Sequence, residues 1–240
     1  MYRKYKNIPS ERLSYLKALL ALLKVDRTKG EDAVFNMRDA MLYLDGGASK
    51  AAYDTFIKQG GFLFLSQVLS NTSYLESLPS NSLGAHYLKH VSDGEKDKIF
   101  GLSSVLYQEP ESSMEHFFAR QVDVHDLVHV VMGYGKERLG EACVVGAYSN
   151  YYKGWRVILF AIIARNIIRR RLFRPKRMKD VWRTIYVEPR LRASSVNCWD
   201  LIHWERYLAY PIEDVRKKLG IPPSKYYDTV RKKFLSEGGV

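Results

Sequence analysis

Apolar residues recur at helical spacing along most of the chain and almost nowhere in strand alternation. Leu13, Leu16, Leu19, Leu20 and Leu23 form one stripe, capped by Ser10 and ended near Asp26. Val34, Phe35, Met37, Met41 and Leu42 predict a second helix over 31–44, and a third runs over 49–59; Gly46-Gly47 and Gly60-Gly61 stop them. The apolar run 62–69 is short enough for a strand, but its helical surroundings favour another helix. Residues 71–110 hold Asn71, Ser73, Pro79, Ser80, Asn81, Ser82, Ser92-Asp93-Gly94 and Pro110, and read as a loop-rich connector. A long helix opens at Glu111 with an acidic first turn and carries Phe117, Phe118, Gln121, Val122, His125 and Val128 at helical spacing up to Gly133. Helix resumes from Arg138 to Tyr152, and further helices are expected over 179–186, 199–208, 212–219 and 224–235. No strand pair carries a hairpin signal. The expected fold is all-α: a single helical domain over 1–240, built as a multi-helix bundle around the long helix.

The long helix carries the one stretch whose chemistry the spacing concentrates, HDLVHVVMGYGKERLGE over 125–141. His125 and His129 lie one helical turn apart and Asp126 sits on the adjoining face. Gly133 and Gly135 bracket Tyr134 in a helix stop, so a second helix can return Glu141 to the level of the histidines. Two imidazoles and two carboxylates suit a divalent metal, Zn first by ligand softness, with Mg, Mn or Fe if the carboxylates dominate. A polar turn in which the histidines cap or hydrogen-bond a neighbouring helix fits the same spacing. So does an HD-type phosphohydrolase, which needs a further upstream His, from His90 or His116, and a distant Asp, from Asp180 or Asp200. His86 and His90 share a helix face if 84–91 is helical; no carboxylate follows them at ligand spacing, and they read as surface or packing histidines.

The pattern H-D-x-x-H followed by Glu after eleven residues resembles the coenzyme Q biosynthesis protein 4 family. Upstream, Leu78-Pro79-Ser80-Asn81-Ser82-Leu83-Gly84-Ala85-His86-Tyr87-Leu88 is similar to the family's Pro-x-x-Ser-Leu-Gly-x-x-Tyr segment. Downstream, Trp204-Glu205, Pro211-Ile212-Glu213-Asp214-Val215-Arg216 and Leu219-Gly220-Ile221 resemble its C-terminal signature, so the similarity runs over 70–222. Residues 119–124 keep an acid at Asp123 but lack the family's Arg-Tyr-Arg-Glu run. The resemblance implies an all-helical fold, a metal held by His125, Asp126, His129 and Glu141, and a polyprenylated hydroxybenzoate-type substrate. The implied reaction is a lyase-type loss or hydroxylation at ring C1, with Asp123 or Tyr134 tuning a ligand. The alternatives are a non-catalytic scaffold that presents a polyprenyl quinone intermediate to other quinone-synthesis enzymes, and a phosphohydrolase acting on a prenyl phosphate.

Composition adds a partner surface. The chain has 240 residues, 46% hydrophobic, enough to bury a sizeable core, and a net charge of +12. Nine Lys or Arg and one Asp over 165–183 hold +8 of that charge, directly after the apolar run WRVILFAIIARNII over 155–168. That run is shorter than the ~20 residues of a span. It reads either as a buried core helix or as an interfacial helix, followed by a basic elbow in which Arg169, Arg170 and Arg171 meet lipid head groups. The solvated charged face is the other reading of the elbow. Cys143 and Cys198 match no metal or redox spacing and are expected to be reduced core residues. The N-terminus lacks the apolar region of a secretory signal. The expected location is therefore bacterial and cytoplasmic, peripheral on the inner membrane face, with a homo-oligomer as the assembly. No P-loop, dinucleotide fingerprint or nucleophile elbow is present, which argues against ATP and NAD, and the clustered charge argues against specific nucleic-acid binding.

Overall fold

A computed structural model describes residues 48–59, 65–92, 113–151 and 178–236. The helices expected over 10–26 and 31–44, the apolar run 155–168 and the basic elbow with Arg169, Arg170 and Arg171 lie outside these residues. Among the described residues no strand forms; one isolated antiparallel bridge joins Ser82 to Pro211. The all-α expectation holds.

The chain enters through α1 (Ala48–Lys58) and α2 (Leu65–Leu69), close to their expected places. The described part of the connector expected next, 71–92, is instead largely helical, with α3 (Thr72–Ser77) and α4 (Leu83–Ser92). Its polar residues are caps: Asn71 Oδ1 accepts from Tyr74 N at 3.0 Å, and Ser82 Oγ accepts from Ala85 N at 3.1 Å. Side-chain oxygens that satisfy orphan N–H groups at a helix start are the same residues that mark loops.

The central element is α5 (Ser113–Met132), which packs against α1, α2, α4 and the helix that follows it, α6 (Arg138–Tyr148). Phe117, Val124, Leu127, Val128 and Val131 are fully buried along it. α6 was expected to reach Tyr152 but stops at Tyr148, where the hydroxyl of Ser149 donates back to Gly146 O and Asn150 donates to Arg190 O.

The helix expected over 179–186 runs on to Arg192 as α7 (Met178–Trp182), a π turn (Arg183–Val187) and α8 (Glu188–Arg192). Pro189 looks like a terminator in sequence because it lacks an N–H and crowds the carbonyl four residues back. The π turn, in which Glu188 N bonds Arg183 O, loosens that spacing and lets the helix pass the proline. The helix expected over 199–208 is replaced by two 3₁₀ turns, Trp199–Leu201 and Trp204–Arg206. Arg120 from α5 takes the carbonyls of Asp200 and Ile202 at 2.9 and 2.5 Å, acceptors that a continuous helix would use itself. α9 (Ile212–Lys218) and α10 (Tyr227–Ser236) complete the bundle. Its core gathers Leu127, Val131, Cys143, Ile185, Trp199, Trp204 and Tyr227 into one cluster.

Candidate metal centre

α5 sets His125 and His129 on one face, with ring centroids 4.8 Å apart and planes at 70°. α5 ends at Gly133, whose φ of 72° suits a residue without Cβ. There Tyr134 N bonds His129 O and Gly133 N bonds Val130 O, the pattern that closes a helix on a left-handed residue. Arg192 and Arg216 add guanidinium donors to the same end, to Met132 O and Val131 O, each at 2.8 Å. The chain then turns tightly enough that a Cβ on Gly140 would collide with the backbone of Gly135. Tyr227 clamps this turn from α10: its hydroxyl accepts from Gly135 N at 2.6 Å and donates to the Glu137 carboxylate, which also accepts from Arg231 Nε at 3.0 Å.

The turn delivers Glu141 between the two imidazoles. His125 Nε2 lies 3.4 Å from Glu141 Oε2, and His129 Nε2 lies 3.4 Å from Glu141 Oε1. One ligand atom from each of the three residues falls within 4.8 Å of the others. Asp126 sits on the other side of His125, its Oδ1 3.6 Å from Nδ1. A charge-assisted N–H···O bond is about 2.7–2.9 Å. Two ligands each about 2.0–2.1 Å from a tetrahedral ion are instead about 3.3–3.4 Å apart. The two N···O contacts are longer than a charge-assisted bond and run to different oxygens of one carboxylate, and the three ligand atoms, within 4.8 Å of one another, would draw inward to hold a divalent ion.

The charges of the centre are mutually adjusted. Burial opposes protonation of His125, but the carboxylates of Asp126 and Glu141 outweigh it and raise its pKa to about 10. Burial raises the Glu141 carboxyl, yet the imidazoles of His129 and His125 bring it well below the usual carboxylate range. Asp126 is lowered in the same way: burial works against ionisation, and His125 beside it prevails. His129 is almost wholly enclosed, with 1% of its side chain exposed, whereas His125 and Glu141 keep 33% and 36%. The centre is closed on the His129 side and open on the other.

The other residues singled out in sequence fall around this cluster. Asp123, 2% exposed, accepts from the Ser66 hydroxyl at 2.6 Å and ties α2 to α5 two residues before His125. Tyr134 is buried edge-on against Tyr227, with the Arg192 guanidinium 5.4 Å over its ring, and burial raises its pKa. Neither belongs to the cluster of ligand atoms. Sequence reading gave no role to the guanidinium groups of Arg120, Arg192 and Arg216, because an arginine inside a bundle has no periodic signature. It left His90 as either a surface or a packing histidine, and the structure gives the second. His90 in fact stacks on His129, with centroids 5.4 Å apart and planes at 29°, and its pKa falls to about 4 through burial and the adjacent His129 charge. The available signal was its place one turn after Tyr87, which is 1% exposed and marks the inner face of α4.

Fold and site together define an all-helical protein in which two histidines of the central helix meet a glutamate of the helix that follows it. The chain belongs to the family described as coenzyme Q (ubiquinone) biosynthesis protein Coq4, whose model matches residues 64–225. It is 29% identical over 117 residues to a mitochondrial ubiquinone biosynthesis protein COQ4 homologue of Drosophila ananassae, covering 49% of this chain and 40% of that protein. With the mitochondrial ubiquinone biosynthesis protein coq-4 of Neurospora crassa it shares 26% identity over 167 residues, 70% of this chain and 46% of that one. The chain thus matches less than half the length of either relative. A crystal structure from Nostoc punctiforme PCC 73102, of a protein provisionally described as a ubiquinone biosynthesis protein, has the same fold. It superimposes with a TM-score of 0.56 at 17% identity and covers 85% of this chain and 96% of its own.

Proposed function

We propose that the protein acts in ubiquinone synthesis through a divalent metal centre, Zn by the balance of its donors, that handles the ring of a polyprenylated hydroxybenzoate-type intermediate. The observation that carries this reading is the convergence of His125 Nε2, His129 Nε2 and both Glu141 oxygens with N···O edges of 3.4 Å. His125, His129 and Glu141 supply ligand atoms. Asp126 completes the set, either as a fourth ligand or, from its place beside Nδ1, as the carboxylate that orients His125. When bound, the metal supplies Lewis acidity toward a ring carboxylate or phenol oxygen. The exposed edges of His125 and Glu141 favour a centre with room for a substrate oxygen over a closed structural site. Asp123 and Tyr134 support α5 and its end from outside the ligand set. Decarboxylation at C1 breaks the ring–carboxyl bond and releases CO₂; the electron pair stays on C1 and takes up a proton. Hydroxylation at C1 requires an oxidant in addition. The basic run with Arg169, Arg170 and Arg171 is the proposed contact for anionic lipid head groups, and other quinone-synthesis enzymes are the proposed protein partners.

The test is elemental analysis of purified protein together with quinone production in a strain lacking its own family member. Wild type is expected to carry about one divalent ion per chain and restore synthesis. Glu141→Gln is expected to lose most of the ion and fail to restore synthesis while accumulating normally. An unchanged metal content in Glu141→Gln sinks the centre. Retained lipid with no ring turnover by purified protein assigns it a presenting role instead.

A further inference from the structure

We infer that His90 is the positioning residue that fixes the ring plane of His129, and through it the metal affinity of the centre; this rests on the metal-binding reading above. A ligating imidazole is ordinarily oriented by a hydrogen bond from its second ring nitrogen. His125 has such a neighbour, since its Nδ1 faces Asp126 Oδ1 at 3.6 Å while Nε2 faces Glu141. His129 does not: its Nδ1 is buried and has no hydrogen-bond partner among the described residues. The second torsion of a histidine is broad, so an imidazole without that bond is oriented by the walls around it. Among the described residues, two aromatic rings face His129. His125 meets it at 70°, and His90 lies nearly parallel to it at 29°, with centroids 5.4 Å apart. Turning the His129 ring would swing Nε2 away from Glu141 Oε1 and drive the ring edge toward His90.

His90 is itself held firmly enough to act as a wall. It sits in the last turn of α4, whose start is pinned by Leu83 N to Tyr210 O at 2.9 Å and Gly84 N to Leu208 O at 2.8 Å. The end of α4 is tied to the turn after α5, where Lys136 Nζ donates to Val91 O at 3.4 Å. Between these anchors Tyr87 is buried on the same face as His90. The flat face of the ring is what this role needs. A phenyl ring should therefore replace His90, whereas a small side chain should not.

The experiment titrates Co²⁺ into the metal-free full chain and reads affinity and the visible absorption of the bound ion. His90→Ala is expected to weaken Co²⁺ binding by about 10–100-fold and alter the absorption, as loss of an orienting partner does. His90→Phe is expected to keep both. Thermal unfolding of the metal-free variants checks that they fold, and His90→Leu replaces His90→Ala if the latter does not. Wild-type affinity and absorption in the folded Ala or Leu variant overturns the inference. Equal loss in His90→Phe also overturns it, because the nitrogen rather than the ring face would then matter. Failure of the metal reading looks different: wild type and Glu141→Gln would bind Co²⁺ equally, or neither would bind it.

Discussion

At His125 a proton and the proposed metal ion would compete for the same nitrogen. An ordinary histidine titrates near about 6.5, whereas Asp126 and Glu141 hold His125 at about 10. The folded value is raised, so this ion pairing stabilises the metal-free protein fully below about pH 6.5 and is lost as pH rises through about 10. Metal binding needs the neutral ring and must release the proton. We therefore predict that the metal-free protein melts at a lower temperature at pH 10 than at pH 7. Zn²⁺ affinity should rise by up to about tenfold per pH unit for the proton displaced from His125. Calorimetry in buffers of different ionisation enthalpy counts that proton, and a count of zero refutes the assignment. The same titration on Asp126→Asn separates its two proposed roles. A loss as deep as that of Glu141→Gln marks a ligand, a smaller loss of about 10–100-fold marks an orienting partner, and no loss excludes both. The clustering of His125, His129 and Glu141 was legible because i,i+4 histidines and a glutamate beyond a glycine turn are a one-dimensional pattern. His90 was not, because its partner comes from another helix and only packing brings the rings together.

α5 works as a platform because its ends are fixed by charges that the bundle buries. Arg120, 1% exposed, joins it to the 3₁₀ segment through Asp200 O, Ile202 O and the Glu205 carboxylate. Arg120→Met strands a carboxylate that is only 9% exposed and is predicted to cost about 3–5 kcal/mol in denaturant unfolding. A cost under about 1 kcal/mol would make this an ordinary surface pair. At the other end, the turn into α6 decides whether Glu141 reaches the histidines. Gly140→Ala puts a methyl group against the Gly135 backbone, which cannot swing aside as a side chain can. The predicted cost is about 1–3 kcal/mol, with a loss of metal affinity that Ala at the exposed Lys232 does not share; unchanged affinity would show that the turn adapts. These elements explain what sequence could and could not give. Apolar stripes located α1, α5, α6, α9 and α10. Asn71 and Ser82 gave the same signal as loop residues because a cap is a loop residue with a helix after it. The 3₁₀ turns and the π turn depend on Arg120 and Pro189 finding tertiary accommodation, which no local pattern records.

At the scale of the whole molecule, the excess positive charge is concentrated in one stretch of the sequence. Of the net +12, nine Lys or Arg and one Asp over 165–183 supply +8, inside the family match and directly after the longest apolar run. No helix among the described residues is long and apolar enough to cross a membrane. Attraction to an anionic surface is worth about 1 kcal/mol per nearby Lys or Arg and decays within about 8–10 Å at physiological salt. Three productive contacts therefore contribute about 3 kcal/mol, a change of about a hundredfold in binding. We predict that the full chain binds vesicles containing anionic lipid, that added salt weakens the binding, and that changing Arg169, Arg170 and Arg171 together to Gln reduces it by about a hundredfold while bound metal is retained. Co-sedimentation with vesicles of matched size, with and without phosphatidylserine, measures this directly. If 155–168 is a core helix and the elbow a solvated face, the triple change leaves sedimentation alone, and polar residues at Ile162 and Ile163 unfold the protein. If binding persists in high salt, the apolar run rather than the charge carries it, and lipid would then reach the centre through contacts that depend on tail rather than head group.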